Sequence, residues 1–309
     1  MASAGYITDI EGIKVGHAHD EAGVTGCTVI LAEDGAVGGV DVRGSAPGTR
    51  EIEALKPVRL VDRIHAVLLT GGSAFGLRAT EGVQRYLEEK DIGFPTSAGK
   101  VPVVPSAVIY DLAVGDARSR PDAEMAYKAA KEASAAEPRE GRVGAGCGAT
   151  VGKILGYDGC MHGGVGGASL RLPGGAVVAA LAVVNALGDV VDPATGEIVA
   201  GARDEHGDFI NTARFLMETT SLPGSPYENT TLAVIATTAR LNKEGATKVA
   251  QMAQDGVARA VNPAHTMYDG DVSFALSVGN DEADVNVVGV AAAKLVAEAI
   301  VRAVRASGA

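Results

Sequence analysis

Apolar residues in this chain gather in short runs, set apart by glycine clusters and charged turns. Residues 64–70, 176–184, 230–237 and 273–278 are rich in Val, Ile, Leu, Ala and Thr, and they predict buried strands. Residues 7–15, 27–31, 38–41, 107–110 and 190–191 predict further strands, with a turn near residues 20–23. Helical spacing is found over 77–89, 123–136, 210–218, 243–261 and 287–304. In the fourth of these, Val249, Met252, Ala253, Val257 and Ala260 share one face. Ser73 is placed to cap the first helix. Residues 192–208 read as loop. Strand pairs and helix pairs both occur, so the order predicts a layered α/β fold with mixed or antiparallel sheets. No repeat or low-complexity linker divides the chain, and a single domain over 1–309 is expected.

Composition narrows the function classes. Of 309 residues, 47% are apolar and only 4% aromatic, so the core is built from aliphatic side chains. The net charge of −11, without a Lys/Arg block, argues against nucleic acid as a partner. The apolar run 176–184 is far too short to span a membrane. Residues 1–16 lack the apolar stretch of a signal peptide. Cys27, Cys147 and Cys160 form no C-x-x-C and no disulfide framework. A cytoplasmic protein with no membrane partner is the expectation.

Several familiar motifs are approached and missed. Gly148 to Ile154 resembles a phosphate loop, but its first glycine is one residue too close to Gly152-Lys153, and Ile154 replaces the Mg²⁺-binding hydroxyl. Around Ser73, Phe75 stands where a nucleophile elbow needs its second glycine. The six histidines show no zinc spacing, and no cofactor or metal is expected. Asp269-Gly270-Asp271 reads either as a turn before a strand or as a carboxylate pair able to orient a nucleophile.

The junction Asn229-Thr230-Thr231 separates a turn-rich stretch from a β-branched strand. It is a good strand start on propensity alone. It also offers another chemistry. Breaking the Asn229–Thr230 bond would leave Thr230 with a free amine beside its hydroxyl, a known way to activate a weak nucleophile. Thr231 and Thr266 are rival nucleophiles, and Thr266 is expected to lie too near the aspartates in sequence to face them.

Taken with Ile10-Glu-Gly-Ile-Lys-Val-Gly-His17, Leu69-Thr-Gly-Gly-Ser-Ala-Phe-Gly76, Gly144 to Lys153, Val183-Val-Asn185-Ala-Leu-Gly-Asp-Val190 and Tyr268-Asp-Gly-Asp271, the junction resembles the L-aminopeptidase/D-esterase family of self-cleaving hydrolases. Within it, the chain is most similar to the branch that hydrolyses 6-aminohexanoate oligomers. The resemblance implies a four-layer α/β/β/α sandwich akin to N-terminal-nucleophile hydrolases. It implies one self-cleavage, giving an α chain 1–229 and a β chain 230–309, with Thr230 as nucleophile and no cofactor. By motif it places the supporting acidic pair on Asp269 and Asp271 and the oxyanion-type asparagine on Asn185. It places a lysine and a tyrosine of the site on Lys153 and Tyr110. It implies small peptides or linear oligoamides as substrates, and a homotetramer. Two other readings stay open: acyl transfer to an amine, as in self-cleaving ornithine acetyltransferases, and a non-catalytic small-molecule binder on the same scaffold.

Overall fold

The strand Thr230–Ala239 explains how the fold is layered. Its residues alternate between two buried faces. Leu232, Val234 and Ala236 enter one apolar core, and Ala233, Ile235 and Ala239 enter another. A strand buried on both sides reads as a continuous β-branched run, as this one does. The computed structural model describes residues 5–220 and 229–308. The turn-rich stretch before Asn229 lies mostly outside the described residues.

Among the described residues nine strands are hydrogen-bonded together, eight of them along one path. They are β1 (Ile13–Asp20), β2 (Thr25–Val42), β3 (Thr49–Arg50), β4 (Ile64–Thr70), β5 (Ser106–Val108), β6 (Gly164–Arg171), β7 (Val177–Asn185), β8 (Thr230–Ala239) and β9 (Val272–Asp281). The order is β6-β7-β8-β9-β2-β4-β5-β3, with β1 also on β2. The pairs β8/β9 and β4/β5 are parallel and the others antiparallel. The 18-residue β2 joins two layers. Its first half pairs with β1 and β4, and its second half with β9.

The helices complete the sandwich. They are α1 (Thr80–Glu89), α2 (Ala123–Lys131), α3 (Thr212–Glu218), α4 (Lys243–Ala260) and α5 (Val285–Ala306). One core lies between the two sheet layers, where Val67 and Leu69 of β4 meet Val183, Leu232 and Phe274. A second lies between β6–β9 and the helices α4 and α5. A third lies between β1, β2 and β4 and the helices α1 and α2. This is the expected α/β/β/α order, with mixed rather than purely antiparallel sheets.

Local departures have physical reasons. Residues 7–9 form a short 3-10 turn, and the first strand begins only at Ile13, after Gly12 in a left-handed conformation. Ser73 does not cap a helix. Gly72 takes the left-handed turn, Ser73 itself has φ 52, and a 3-10 segment Ser73–Ala79 leads into α1. α2 stops at Lys131, short of residue 136. The stretch read as loop contains a short strand, Ile198–Ala200, paired with Asp189–Val191.

Candidate active site

At the start of β8, three segments converge. Thr230 lies opposite Asn185, the last residue of β7. On the other side Asn229 forms a parallel bridge with Asp269, just ahead of β9. The chain after β2 closes the third side, where Arg43 N–H donates to the Asp271 carbonyl and Ala46 N–H to that of Asp269. Asn229 and Thr230 are both buried, at 3% and 5% exposure. By alternation Thr230 shares a face with Leu232, so its side chain turns into the space between the sheets.

The hydroxyl of Thr230 donates to the Asn229 carbonyl oxygen at 2.5 Å. The Gly270 N–H donates to the same oxygen at 2.8 Å. Gly270 is small because it has to be. A Cβ there would stand 2.7 Å from Thr230 Oγ1 and 2.6 Å from the Ala46 carbonyl oxygen. The scissile carbonyl of the expected cleavage thus sits between a backbone donor and the adjacent hydroxyl.

Asn185 is fully buried and held on both ends of its amide. Its Oδ1 accepts from Lys153 Nζ at 2.9 Å and from Thr150 N–H at 3.0 Å, while Nδ2 donates to the Tyr110 carbonyl at 3.0 Å. Lys153 is 4% exposed, not the solvated loop lysine that its position would equally allow. Its ammonium also donates to the Thr150 and Asn185 carbonyls at 3.1 and 3.0 Å. An ammonium has only donors, and these acceptors suit it. Tyr110 reaches Asn185 through its backbone, and its side chain is half-buried.

The two aspartates divide their partners. Asp271 Oδ1 accepts from the Thr231 N–H at 2.6 Å, and Oδ2 accepts from the backbone N–H of His265 at 3.1 Å and faces His265 Nδ1 at 2.7 Å. Asp269 Oδ2 accepts from Thr266 N–H at 2.9 Å and Thr266 Oγ1 at 2.6 Å. The carboxylates therefore hold the residues around the threonine, while its hydroxyl donates to Asn229. The expectation about Thr266 is wrong. The turn folds back so tightly that closeness in sequence brings Thr266 onto Asp269 instead of keeping it away.

Burial, and next the charge of Asp271, push the Asp269 carboxyl up to about 6, against hydrogen bonds from Thr266 and the charge of Lys153. For His265, burial works against the proton, but the hydrogen bond and charge of Asp271 outweigh it and the proton is held more tightly than usual. His265, which reads in sequence as one more loop histidine, and Asp111 are the polar residues that motif reasoning passes over. Asp111 is buried and accepts from Thr25 Oγ1 and Gly72 N–H, both at 2.7 Å. It anchors the glycine loop next to Tyr110. Nothing in the local sequence marks either residue.

The described residues contain no group of three His, Cys, Asp or Glu side chains placed to hold a metal ion. None of their helices is long and apolar enough to cross a membrane.

Comparison with known proteins agrees with this architecture. An uncharacterised aminopeptidase of Mycobacterium leprae is 45% identical over 295 residues, covering 90% of this chain and 79% of the relative. The 6-aminohexanoate-oligomer endohydrolase of Kocuria sp. is 34% identical over 282 residues, covering 89% and 75%. Among solved structures, the L-aminopeptidase D-Ala-esterase/amidase of Ochrobactrum anthropi, described as a variant of the Ntn hydrolase fold, superposes with a TM-score of 0.74 at 19% identity, covering 98% of this chain and 86% of that one. A Burkholderia sp. beta-aminopeptidase gives 0.69 at 24% identity, covering 97% and 86%. The profile of peptidase family S58 matches residues 5–309. The chain belongs to peptidase family S58 and is an amide-bond hydrolase with an Ntn-type fold.

Proposed function

We propose that this hydrolase matures by cutting its own Asn229–Thr230 bond and then uses Thr230 as an N-terminal nucleophile on small peptides or linear oligoamides. The observation that carries this reading is the placement of the Thr230 hydroxyl on the Asn229 carbonyl, with the Gly270 N–H on the same oxygen.

Thr230 Oγ1 attacks the Asn229 carbonyl carbon. An ester C–O bond forms, the peptide C–N bond breaks, and the hydroxyl proton ends on the threonine nitrogen. The Gly270 N–H bears the charge that develops on the carbonyl oxygen, an effect of roughly 3 kcal/mol for one oxyanion donor. Water then hydrolyses the ester, releasing the Asn229 carboxylate and restoring the hydroxyl. The freed α-amine, with a reference pKa of about 7.7–8.0, is the base for later turnovers. Asp269 lies beside Asn229 in the sheet, next to the bond whose cleavage would free that amine.

In turnover a substrate amide takes the place of the Asn229 carbonyl. Thr230 Oγ1 forms the acyl-enzyme, the substrate amine leaves with the proton, and water completes hydrolysis. Asn185 is the proposed side-chain donor to the oxyanion. Lys153 and the Tyr110 carbonyl hold its amide in one orientation. A cleft of about 660 Å³ lined by Leu155, Asp158, Cys160, Arg203 and Glu205 is the proposed entrance for the substrate. The thiol of Cys160, in its wall, meets Thr150, which itself bonds Asn185. The names of the relatives support amino-terminal peptides and 6-aminohexanoate oligomers as the substrate class. A homotetramer is part of the proposed reading and is checked by native mass.

The test is Thr230→Ala. Wild type is expected to give two bands on a denaturing gel and the variant one full-length band, with amide hydrolysis falling by at least about 10⁴-fold. Efficient cleavage of the variant would overturn the assignment.

A further inference from the structure

His265 is built into the site more firmly than a loop histidine needs to be. Its backbone takes a left-handed conformation, φ 57, which a non-glycine residue seldom adopts. That conformation lets both its backbone N–H and its ring reach one oxygen, Asp271 Oδ2, at 3.1 and 2.7 Å. The other ring nitrogen, Nε2, lies 3.4 Å from the Gln254 carbonyl of α4. A carboxylate and a carbonyl can only accept. Only an imidazolium donates from both nitrogens, so both partners favour the charged ring over either neutral tautomer.

We propose that His265 is a positioning residue that acts as an imidazolium, fixing the negative charge of the Asp269/Asp271 pair on Asp271 and so setting the pH range in which the precursor cuts itself. This rests on the reading of Thr230 as the nucleophile. Two buried carboxylates so close do not both ionise easily, and the one with a cation keeps its charge. Asp271 has the cation and holds the first amide after the nucleophile, Thr231 N–H. Asp269 has Thr266 as its close partner, and Lys153 acts on it only through its charge. The division leaves Asp269 as the carboxyl that takes up and releases a proton, in agreement with its position near 6.

The other charged groups around His265 do not replace this role. Arg43, at the end of β2, repels the imidazolium but is paired with Asp41 at 3.0 Å. Asp255 of α4 acts on Arg43. Asp271 is the carboxylate in contact with the ring.

The experiment has two arms. In uncleaved Thr230→Ala protein, the His265 ring is titrated by nuclear magnetic resonance. The expected result is a ring protonated on both nitrogens at pH 7, and a fall in its midpoint when Asp271→Asn is added. A ring neutral at pH 7 overturns the proposal, whatever the fate of Thr230. In the second arm, His265→Asn keeps a residue tolerant of the left-handed backbone and a neutral donor, but removes the charge. The acid-side midpoint of self-cleavage is expected to move upward by about one pH unit. An unchanged midpoint with only a slower rate would mean a merely structural residue and would also overturn the proposal. Cleavage of Thr230→Ala would instead sink the nucleophile assignment and leave the titration arm standing.

Discussion

At the scale of single residues, the site is a set of polar groups whose partners have been chosen by burial. Lys153, Asn185, Asp269 and Asp271 are each no more than 4% exposed, and each makes at least two side-chain hydrogen bonds at or below 3.1 Å. A buried polar group left unpaired would cost about 1–3 kcal/mol, so truncating any one of them disturbs its neighbours as well as its own role. The pH dependence follows from Asp269. Its carboxyl is pushed up to about 6 by burial and by Asp271, so lowering the pH through about 6 adds a proton and removes the negative charge beside the scissile bond. Self-cleavage is therefore expected to fall on the acid side with a midpoint near 6, measured by quenching a refolding precursor at a series of pH values. On the proposed mechanism the mature enzyme needs a neutral α-amine as well, so its acid limb should lie higher, near about 7.7–8.0. A precursor limb at or above the mature one would contradict the assignment of Asp269. The same raised carboxyl makes a stability contribution of the opposite sense to an ordinary aspartate: it is present at low pH and lost as pH rises through about 6.

At the scale of elements, sequence periodicity located most of what positions these residues. β4, β7, β8 and β9 and the helices α4 and α5 were legible because each is a long run with one clear period. The 18-residue β2 was not, because charged Glu33 and Asp34 interrupt it where it passes from one sheet to the other. The two errors near the site share a cause. Local preference alone makes Ser73 a cap and keeps Thr266 off the aspartates, but Gly72 and the left-handed His265 bend the backbone in ways that local preference does not weigh. His265 carries no signal in the sequence for the same reason, since its partner is fixed only by that bend. The expected cleavage junction and the proposed roles of Asn185, Lys153 and Tyr110 rest on family resemblance and not on spacing. The helix layer offers its own test. Ala at position 256 would ordinarily favour a helix over Gly by about 1 kcal/mol. Here a Cβ would lie 2.2 Å from the Ala293 carbonyl of α5, which is backbone and cannot swing aside. Packing should win, and Gly256→Ala is expected to destabilise the protein by about 1–3 kcal/mol in a denaturant melt. A stabilised variant would mean that α4 and α5 are farther apart than described.

At the scale of the whole molecule, the proposed cut does not divide the fold. β8 would begin the small fragment, residues 230–309, yet it pairs along its length with β7 of the large one. β9, also in the small fragment, pairs with β2 of the large one. α4 and α5 cover both parts of that sheet through one shared apolar core. The fragments should therefore stay together under native conditions and separate only when denatured. Size exclusion of processed protein, followed by a denaturing gel of the peak, checks this, and elution of free fragments would contradict it. The layered fold also bears on the proposed cleavage point at Thr230. The residue begins an interior strand buried on both faces, so the backbone at the junction is held by neighbouring strands on both sides, Asn185 opposite Thr230 and Asp269 beside Asn229.

The most direct measurement is the intact mass of the purified wild-type protein after processing. The account requires a light fragment that starts at Thr230 and ends with the chain, alongside a heavy fragment ending at Asn229. A full-length mass that persists in the denatured protein, or a light fragment beginning at any other residue, would contradict it.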